Sequence, residues 1–135
     1  MRTRRLLVLL ILLAVLAPAA SPRAGAPEAE VRATLRAYIQ AMRRGELARL
    51  RPHLAGALYE REYRVLFEEN AEYGRFLRRF YRGARSRLES VTVAPDGTTA
   101  TAVITIKLRG GGTVPTTVDL AKEPGGAWKI TGSSQ

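Results

Sequence analysis

The sequence predicts an α+β domain in which N-terminal helices pack on a four-stranded antiparallel meander. The apolar residues recur at three- and four-residue steps from Val31 to Ala84, which is the spacing of amphipathic helices. After Ser86 the apolar residues alternate with polar ones, and short segments rich in Gly and Pro separate four such stretches. Helices that precede a sheet in this order pack on its apolar face.

The N-terminus has the three parts of a secretory signal peptide. Arginines at positions 2, 4 and 5 precede an uncharged apolar run from Leu6 to Leu16, and small residues surround Pro18. The run is shorter than the roughly 20 residues of a membrane-spanning helix. Cleavage after Ala19 would obey the small-x-small rule, so we expect a signal peptide (1–19), a linker (20–27) and a single domain (28–133). An uncleaved anchor is the alternative, and both predict export, by secretion or to the periplasm or cell envelope.

The composition excludes some classes of protein and leaves others open. The chain has no cysteine, so disulfide scaffolds and lipid attachment through a cysteine are excluded. It has 22 basic and 12 acidic residues, and three of the basic ones precede Ala20, which leaves a net charge of +7 on the remainder. Such a charge attracts lipid headgroups, envelope polymers or nucleic acid. A single histidine cannot form a multi-histidine metal site, so no metal or cofactor is predicted.

Three helical segments are expected before the sheet. The first begins at Pro27 and Glu28 and ends at Gly45, because proline suits a first turn and glycine suits a C-cap. A short helix over 46–51 ends at Pro52, and a long helical region over 57–84 is expected to break between Asn70 and Gly74. The inward stripe of the long region consists of Tyr59, Tyr63, Leu66, Phe67, Tyr73, Leu77, Phe80 and Ala84.

Four strands are expected after the helices, over 88–94, 99–108, 113–122 and 127–131. Pro95-Asp96-Gly97, the triple glycine 110–112 and Pro124-Gly125-Gly126 supply the turns between them. Pro115 lacks a backbone N–H, so its place in the third strand predicts an edge or a bulge there.

Three segments resemble the NTF2-like superfamily, and more narrowly its small exported DUF4878 and lumazine-binding-like type. They are the opening helices over 31–50, the strand Leu88-Glu89-Ser90-Val91-Thr92-Val93, and the closing turn and strand over 123–130. The likeness spans most of residues 28–133 and implies an NTF2-like or cystatin-like cone, a curved sheet closed by helices around a pocket. Enzymes of that superfamily carry a pocket carboxylate or histidine, but no residue here matches their motifs, so no catalytic residue is assigned.

The polar residues that often mark catalytic sites are explained more simply by structure. His53 follows Pro52 in an expected loop, Asp96 lies in a turn where aspartate bonds locally, and Asp119 falls on the polar face of a strand. The triple glycine joins two strands and is followed by no lysine, so it does not form a phosphate-binding loop.

Two groups of residues are candidates for binding. Some aromatic residues could line an apolar pocket, and the candidates are Tyr59, Tyr63, Phe67 and Trp128; core packing is the alternative. Six arginines lie within the 13 residues from 75 to 87, either as a solvated helix face or as an anion-binding surface whose candidates are Arg75, Arg78, Arg79 and Arg82.

The leading hypothesis is an exported, non-enzymatic NTF2-like domain that binds a small apolar ligand or a partner protein in its helix–sheet cavity. The first alternative is an envelope-surface protein that binds anionic lipid or polymer through its arginine-rich helix face. The second is a weak enzyme that uses His53 or a pocket carboxylate. Nucleic acid is disfavoured, because no strand platform interleaves aromatic and basic residues. The sequence does not determine the oligomeric state, and a dimer is compatible with it.

Overall fold

The computed structural model describes residues 25–135, so the expected signal peptide and most of the expected linker lie outside the described residues. Helices come first and a single antiparallel sheet follows, which confirms the α+β prediction. The helices are α1 (Ala26–Arg44), α2 (Leu47–Leu50), α3 (Gly56–Leu58), α4 (Arg64–Glu69) and α5 (Tyr73–Phe80). The strands are β1 (Arg85–Val93), β2 (Thr99–Lys107), β3 (Thr113–Lys122) and β4 (Trp128–Ser134).

The ends of α1 follow from its terminal residues. It begins at Ala26, inside the expected linker, because Pro27 occupies the first turn, where a missing N–H costs no hydrogen bond. It ends at Gly45, which adopts a left-handed conformation with φ of +64°. The Gly45 N–H donates to the Met42 carbonyl, and the Glu46 N–H donates to the Ala41 carbonyl.

The helical region after α1 is divided as expected, with one addition. A 3₁₀ turn (Arg51–His53) carries the chain past Pro52, and Leu54 then becomes extended. A π-helical turn (Tyr59–Tyr63) joins α3 to α4 without interruption. The expected break falls at Asn70, which is extended and whose side chain accepts a hydrogen bond from the Glu72 N–H at 3.0 Å.

The sheet has the order β1-β2-β3-β4, as a meander requires. Glu89 is an extra residue in β1 and Thr131 an extra residue in β4, so both outer strands carry bulges, which increase the local twist. Pro115 lies in β3, an inner strand between β2 and β4. It pairs with β2, but β4 pairs only with the residues of β3 from Thr117 onward. Pro115 therefore has a free edge beside it, as its missing N–H predicted.

The core lies between the helices and the apolar face of the sheet. Its most deeply buried side chains are Val31, Leu35, Leu50, Leu54, Ile104, Val118, Leu120 and Ile130. One residue of the expected inward stripe is misplaced: Phe80 is 47% exposed. On α5 the stripe residues Tyr73 and Leu77 are buried as expected, but Phe80 is the last residue of the helix, and Tyr81, four positions after Leu77, packs against the core instead. Among residues 25–135, no helix is both long and apolar enough to cross a membrane.

Candidate functional site

An open cleft of about 690 Å³ lies between α1, α5 and the start of β1. Its charged lining consists of arginines, and no acidic residue belongs to the lining. Three of them come from α1 and two from α5 and the turn after it: Arg36, Arg43, Arg44, Arg78 and Arg82. Uncharged side chains, among them Ile39 and Tyr81, complete the walls.

These arginines lie on the two facing walls of the cleft. Arg36 and Arg43 are seven residues apart on α1, about two turns, and so share one face. Arg78 lies in the last turn of α5, and Arg82 lies in the turn that follows the helix. One wall of the cleft therefore carries the α1 arginines, and the other carries one arginine from α5 and one from the turn after it.

Two glycines allow α1 and α5 to come this close. A Cβ placed on Gly74 would lie 2.6 Å from the Gly45 carbonyl oxygen, and one placed on Gly45 would lie 1.9 Å from the Gly74 carbonyl oxygen. Real Cβ atoms do not approach a backbone oxygen so closely. Arg78 Nε also donates to the Arg44 carbonyl oxygen at 3.2 Å, which ties α5 to the end of α1.

Most of the cleft arginines have no carboxylate beside them. Within residues 25–135, no carboxylate lies within 4.0 Å of Arg36, Arg43, Arg78 or Arg82. The fifth arginine, Arg44, has only a long contact of 3.8 Å with Glu46. The cleft is therefore a concentration of positive charge without an internal counter-charge, and such a surface attracts anions.

The interior of the helix–sheet layer contains a much smaller space. This cavity has a volume of about 70 Å³ and lies between α1, Tyr63, Tyr81 and the inner face of the sheet. Its polar lining is formed by Tyr38, Tyr63, Tyr81, Thr116, Ser133 and Gln135. No Asp, Glu or His side chain from the described part of the chain lines it. It has room for a few water molecules.

The tyrosines of the cavity stay protonated well above neutral pH. Burial raises the pKa of Tyr38 well above its ordinary value, and the nearby Tyr63 hydroxyl adds to that increase. Burial likewise raises the pKa of Tyr63 and of Tyr81. These phenols can therefore donate hydrogen bonds, but they are poor general bases at neutral pH.

No family model and no curated protein matches the sequence. Among solved structures, the chain is similar to an NTF2-like protein of unknown function from Shewanella baltica, with 14% identity, a TM-score of 0.55, and coverage of 78% of this chain and 89% of that one. It is also similar to a conserved protein from Planctomyces limnophilus, with 12% identity, a TM-score of 0.50, and coverage of 82% and 94% respectively. The fold is NTF2-like. Identities this low establish the fold and carry over no function.

The NTF2-like fold places the four aromatic candidates in different environments. Only Tyr63 lines the interior cavity. Tyr59 is buried beneath Arg51, whose guanidinium carbon lies 3.4 Å from the centre of the ring. Phe67 packs edge-on against Tyr59 and Tyr63, with ring centres 6.0 Å apart in each pair. Trp128 is buried, and its Nε1 donates to Glu30 at 3.1 Å.

The four arginine candidates are divided by α5. Arg78 and Arg82 line the cleft. Arg75 pairs with Glu72, at 3.2 Å. Arg79 does not line the cleft; it lines a neighbouring shallow concavity with Phe80, Arg82 and Arg109.

The other polar candidates lie outside both spaces. His53 is half-buried in the 3₁₀ turn, where burial and the nearby Lys129 lower its pKa. Asp96 accepts a hydrogen bond from the Thr98 N–H at 2.9 Å, and Asp119 one from the Thr101 hydroxyl at 3.3 Å. Within residues 25–135, no group of three or more His, Cys, Asp or Glu side chains is arranged to hold a metal ion.

Sequence reasoning missed the contribution of α1 to the cleft. The helical pattern places Arg36, Arg43 and Arg44 on the solvent side of an amphipathic helix, and Arg43 and Arg44 also complement its C-terminal dipole. The spacing of these arginines on one helix face is visible in the sequence. Their position opposite Arg78 and Arg82 depends on how α1 packs against α5, and no local pattern encodes it.

Proposed function

We propose that the protein binds a ligand with several anionic groups, phosphates or carboxylates, in the cleft between α1 and α5. The observation that carries the proposal is the set of five arginines lining one concavity without an acidic residue among them. Guanidinium groups form bidentate, charge-assisted hydrogen bonds with phosphate and carboxylate. Mutual repulsion among the arginines would be relieved by a bound anion, which favours occupancy.

The size of the cleft also supports this proposal. A volume of about 690 Å³ falls within the range of roughly 300–1,000 Å³ that is typical of small-molecule sites. The two walls carry separate sets of arginines, so a ligand with two or more anionic groups can contact both. An anion with a single charged group can pair with fewer of these arginines, and we expect it to bind much more weakly.

We also propose that the protein is exported and that it belongs to the DUF4878 and lumazine-binding-like type of NTF2-like proteins. The support is the pattern of residues 1–19 and the segments that resemble that type. An exported protein meets anionic lipids and polymers of the cell envelope, which are ligands of the required chemistry.

A small apolar ligand in the helix–sheet cavity has less support. The cavity of about 70 Å³ is several times smaller than a typical ligand site, and hydroxyl groups form much of its lining. The enzymatic alternative has less support as well, because neither His53 nor an Asp or Glu side chain of residues 25–135 lines the cavity. Anion binding in the arginine cleft is therefore the function that the geometry favours.

The proposal is tested by titrating the purified protein with inorganic tripolyphosphate in a calorimeter at 50 and 300 mM NaCl. We expect binding that weakens with salt, because the charges are exposed to solvent. The double reversal Arg43→Glu/Arg78→Glu takes one arginine from each wall and should weaken binding at least tenfold.

The matched control is Arg61→Glu/Arg64→Glu, which makes the same change in net charge at exposed positions outside the cleft. It should change the affinity less than threefold. Equal losses in the two variants would show attraction to net charge alone and refute the cleft as the site. The absence of binding to the wild-type protein at 50 mM NaCl would also refute it.

A further inference from the structure

An aromatic ledge protrudes beside the cleft on α5. Phe76 and Phe80 are 49% and 47% exposed, and with Val65 they are the large hydrophobic side chains most open to solvent among residues 25–135. Their rings stack with centres 5.7 Å apart, so they form one continuous apolar surface. Phe76 also stacks on the buried Tyr73, with ring centres 6.2 Å apart, which anchors the ledge to the core.

Basic residues lie beside the Phe80 end of this ledge. Phe80 shares a shallow concavity with Arg79, Arg82 and Arg109, and no acidic residue lines that concavity. Arg109 comes from the turn between β2 and β3, and its side chain lies against Gly83, in the turn after α5. The aromatic ledge therefore combines an apolar surface with positive charge from two separate parts of the chain.

We infer that the aromatic ledge, Phe76 and Phe80 with Arg79, Arg82 and Arg109, docks the protein on an anionic lipid bilayer. The bilayer interface provides what this surface lacks: negatively charged headgroups for the arginines and an apolar layer just below them for the rings. Exposed aromatic rings flanked by basic residues are typical of surfaces that lie in the headgroup region. Basic residues near such a membrane are drawn to its negative surface potential.

The inference rests on the proposed function, because it identifies anionic lipid headgroups as the source of the anionic groups. The two surfaces share α5 and Arg82, so headgroup binding in the cleft and ring insertion at the ledge can reinforce each other. An acidic protein or a second copy of this chain could also cover an apolar, basic surface. The positive charge of the ledge opposes self-association, because pairing two copies through this surface would place like charges face to face.

The test is sedimentation of the purified protein with vesicles of 30% phosphatidylglycerol and 70% phosphatidylcholine in 100 mM NaCl. We expect binding to these vesicles and at least tenfold weaker binding to pure phosphatidylcholine. Phe76→Ser/Phe80→Ser should weaken vesicle binding at least fivefold while leaving the affinity for tripolyphosphate within twofold of wild type. Val65→Ser, which removes an exposed hydrophobic side chain on α4, is the control and should bind vesicles like the wild type.

Phe80→Trp adds a measurement that does not depend on removing a side chain. The indole fluorescence of this variant should be quenched by brominated lipid in the anionic vesicles, whereas the buried Trp128 of the wild type should not be. Vesicle binding that survives Phe76→Ser/Phe80→Ser, or an introduced indole that brominated lipid leaves unquenched, would overturn the inference. So would self-association that the double serine variant abolishes. If the protein binds tripolyphosphate but not vesicles, the membrane inference fails and the proposed function stands. If it binds vesicles but not tripolyphosphate, only the proposed function is refuted.

Discussion

The contact between Gly45 and Gly74 leads to a prediction whose sign is not obvious. Gly74 is the second residue of α5, and replacing a helical glycine by alanine normally stabilises a protein by up to about 1 kcal/mol. The added Cβ would lie 2.6 Å from the Gly45 carbonyl oxygen and 3.6 Å from Leu47 Cγ. The first contact involves backbone and cannot be relieved by a rotamer change, so α1 and α5 must move apart.

The cost of that movement decides the outcome. Overpacking a tight contact costs typically about 1–3 kcal/mol, which exceeds the gain in helix propensity. The gain itself is reduced here, because Gly74 lies in the first turn and not in a helix interior. We therefore expect Gly74→Ala to lower the free energy of unfolding by about 1–2 kcal/mol, or the melting temperature by at least about 4 °C.

Urea unfolding followed by circular dichroism measures this change. Gly110→Ala is the control, because no atom lies within 4 Å of its added Cβ and its φ is not left-handed; its stability should match the wild type. Gly45→Ala should cost more than Gly74→Ala, since its φ of +64° adds about 1–2 kcal/mol of backbone strain. If Gly74→Ala stabilised the protein, the helices would not be packed as closely as described, and the reasoning would be refuted.

Three further predictions concern buried and half-buried groups. Glu30→Ala removes the acceptor of the Trp128 indole N–H and should lower the free energy of unfolding by about 1 kcal/mol. Glu30→Gln keeps an acceptor, so this variant should regain most of that stability. Equal losses in the two variants would contradict the hydrogen bond. Burial raises the pKa of Tyr38, so the unfolded chain loses the phenol proton first as the pH rises. The free energy of unfolding should therefore fall above about pH 10. In urea titrations between pH 9 and 11, Tyr38→Phe should reduce this dependence on pH. Burial and Lys129 lower the pKa of His53, so the unfolded chain binds the imidazole proton first as the pH drops. The free energy of unfolding should therefore fall below about pH 6.5. If His53→Gln left the dependence of stability on pH unchanged between pH 7.5 and 5, the prediction would be contradicted.

The helices and strands could be predicted because their signals are local. Helical spacing, Pro27 and Gly45 predicted α1 to within two residues of its observed start, and turn-forming residues separated the four strands. The break near Asn70 was also expected, from a single glycine inside a helical pattern. The sequence could not show why a glycine stands at position 74. Gly74 contacts Gly45, 29 positions earlier in the chain.

The aromatic candidates show where local patterns stop being informative. Tyr59, Phe67 and Trp128 share the apolar character of a pocket lining, but aromatic rings serve equally well as core, and three of the four candidates pack against other side chains. Phe80 fails in the opposite direction. Its spacing predicted an inward position, but Phe80 ends α5 and is exposed, while the next residue, Tyr81, packs against the core.

The sequence by itself determined the order of helices and strands, the inward faces of α1 and the sheet, and the excess of arginine. These properties depend on neighbours within a turn or a strand, where spacing alone decides which side chains lie together. Only the tertiary structure decided that Arg36 and Arg43 face Arg78 and Arg82 across a cleft, and that the interior cavity is small. Both depend on how closely α1 packs against α5 and the sheet, and that distance is set by contacts between residues far apart in the chain.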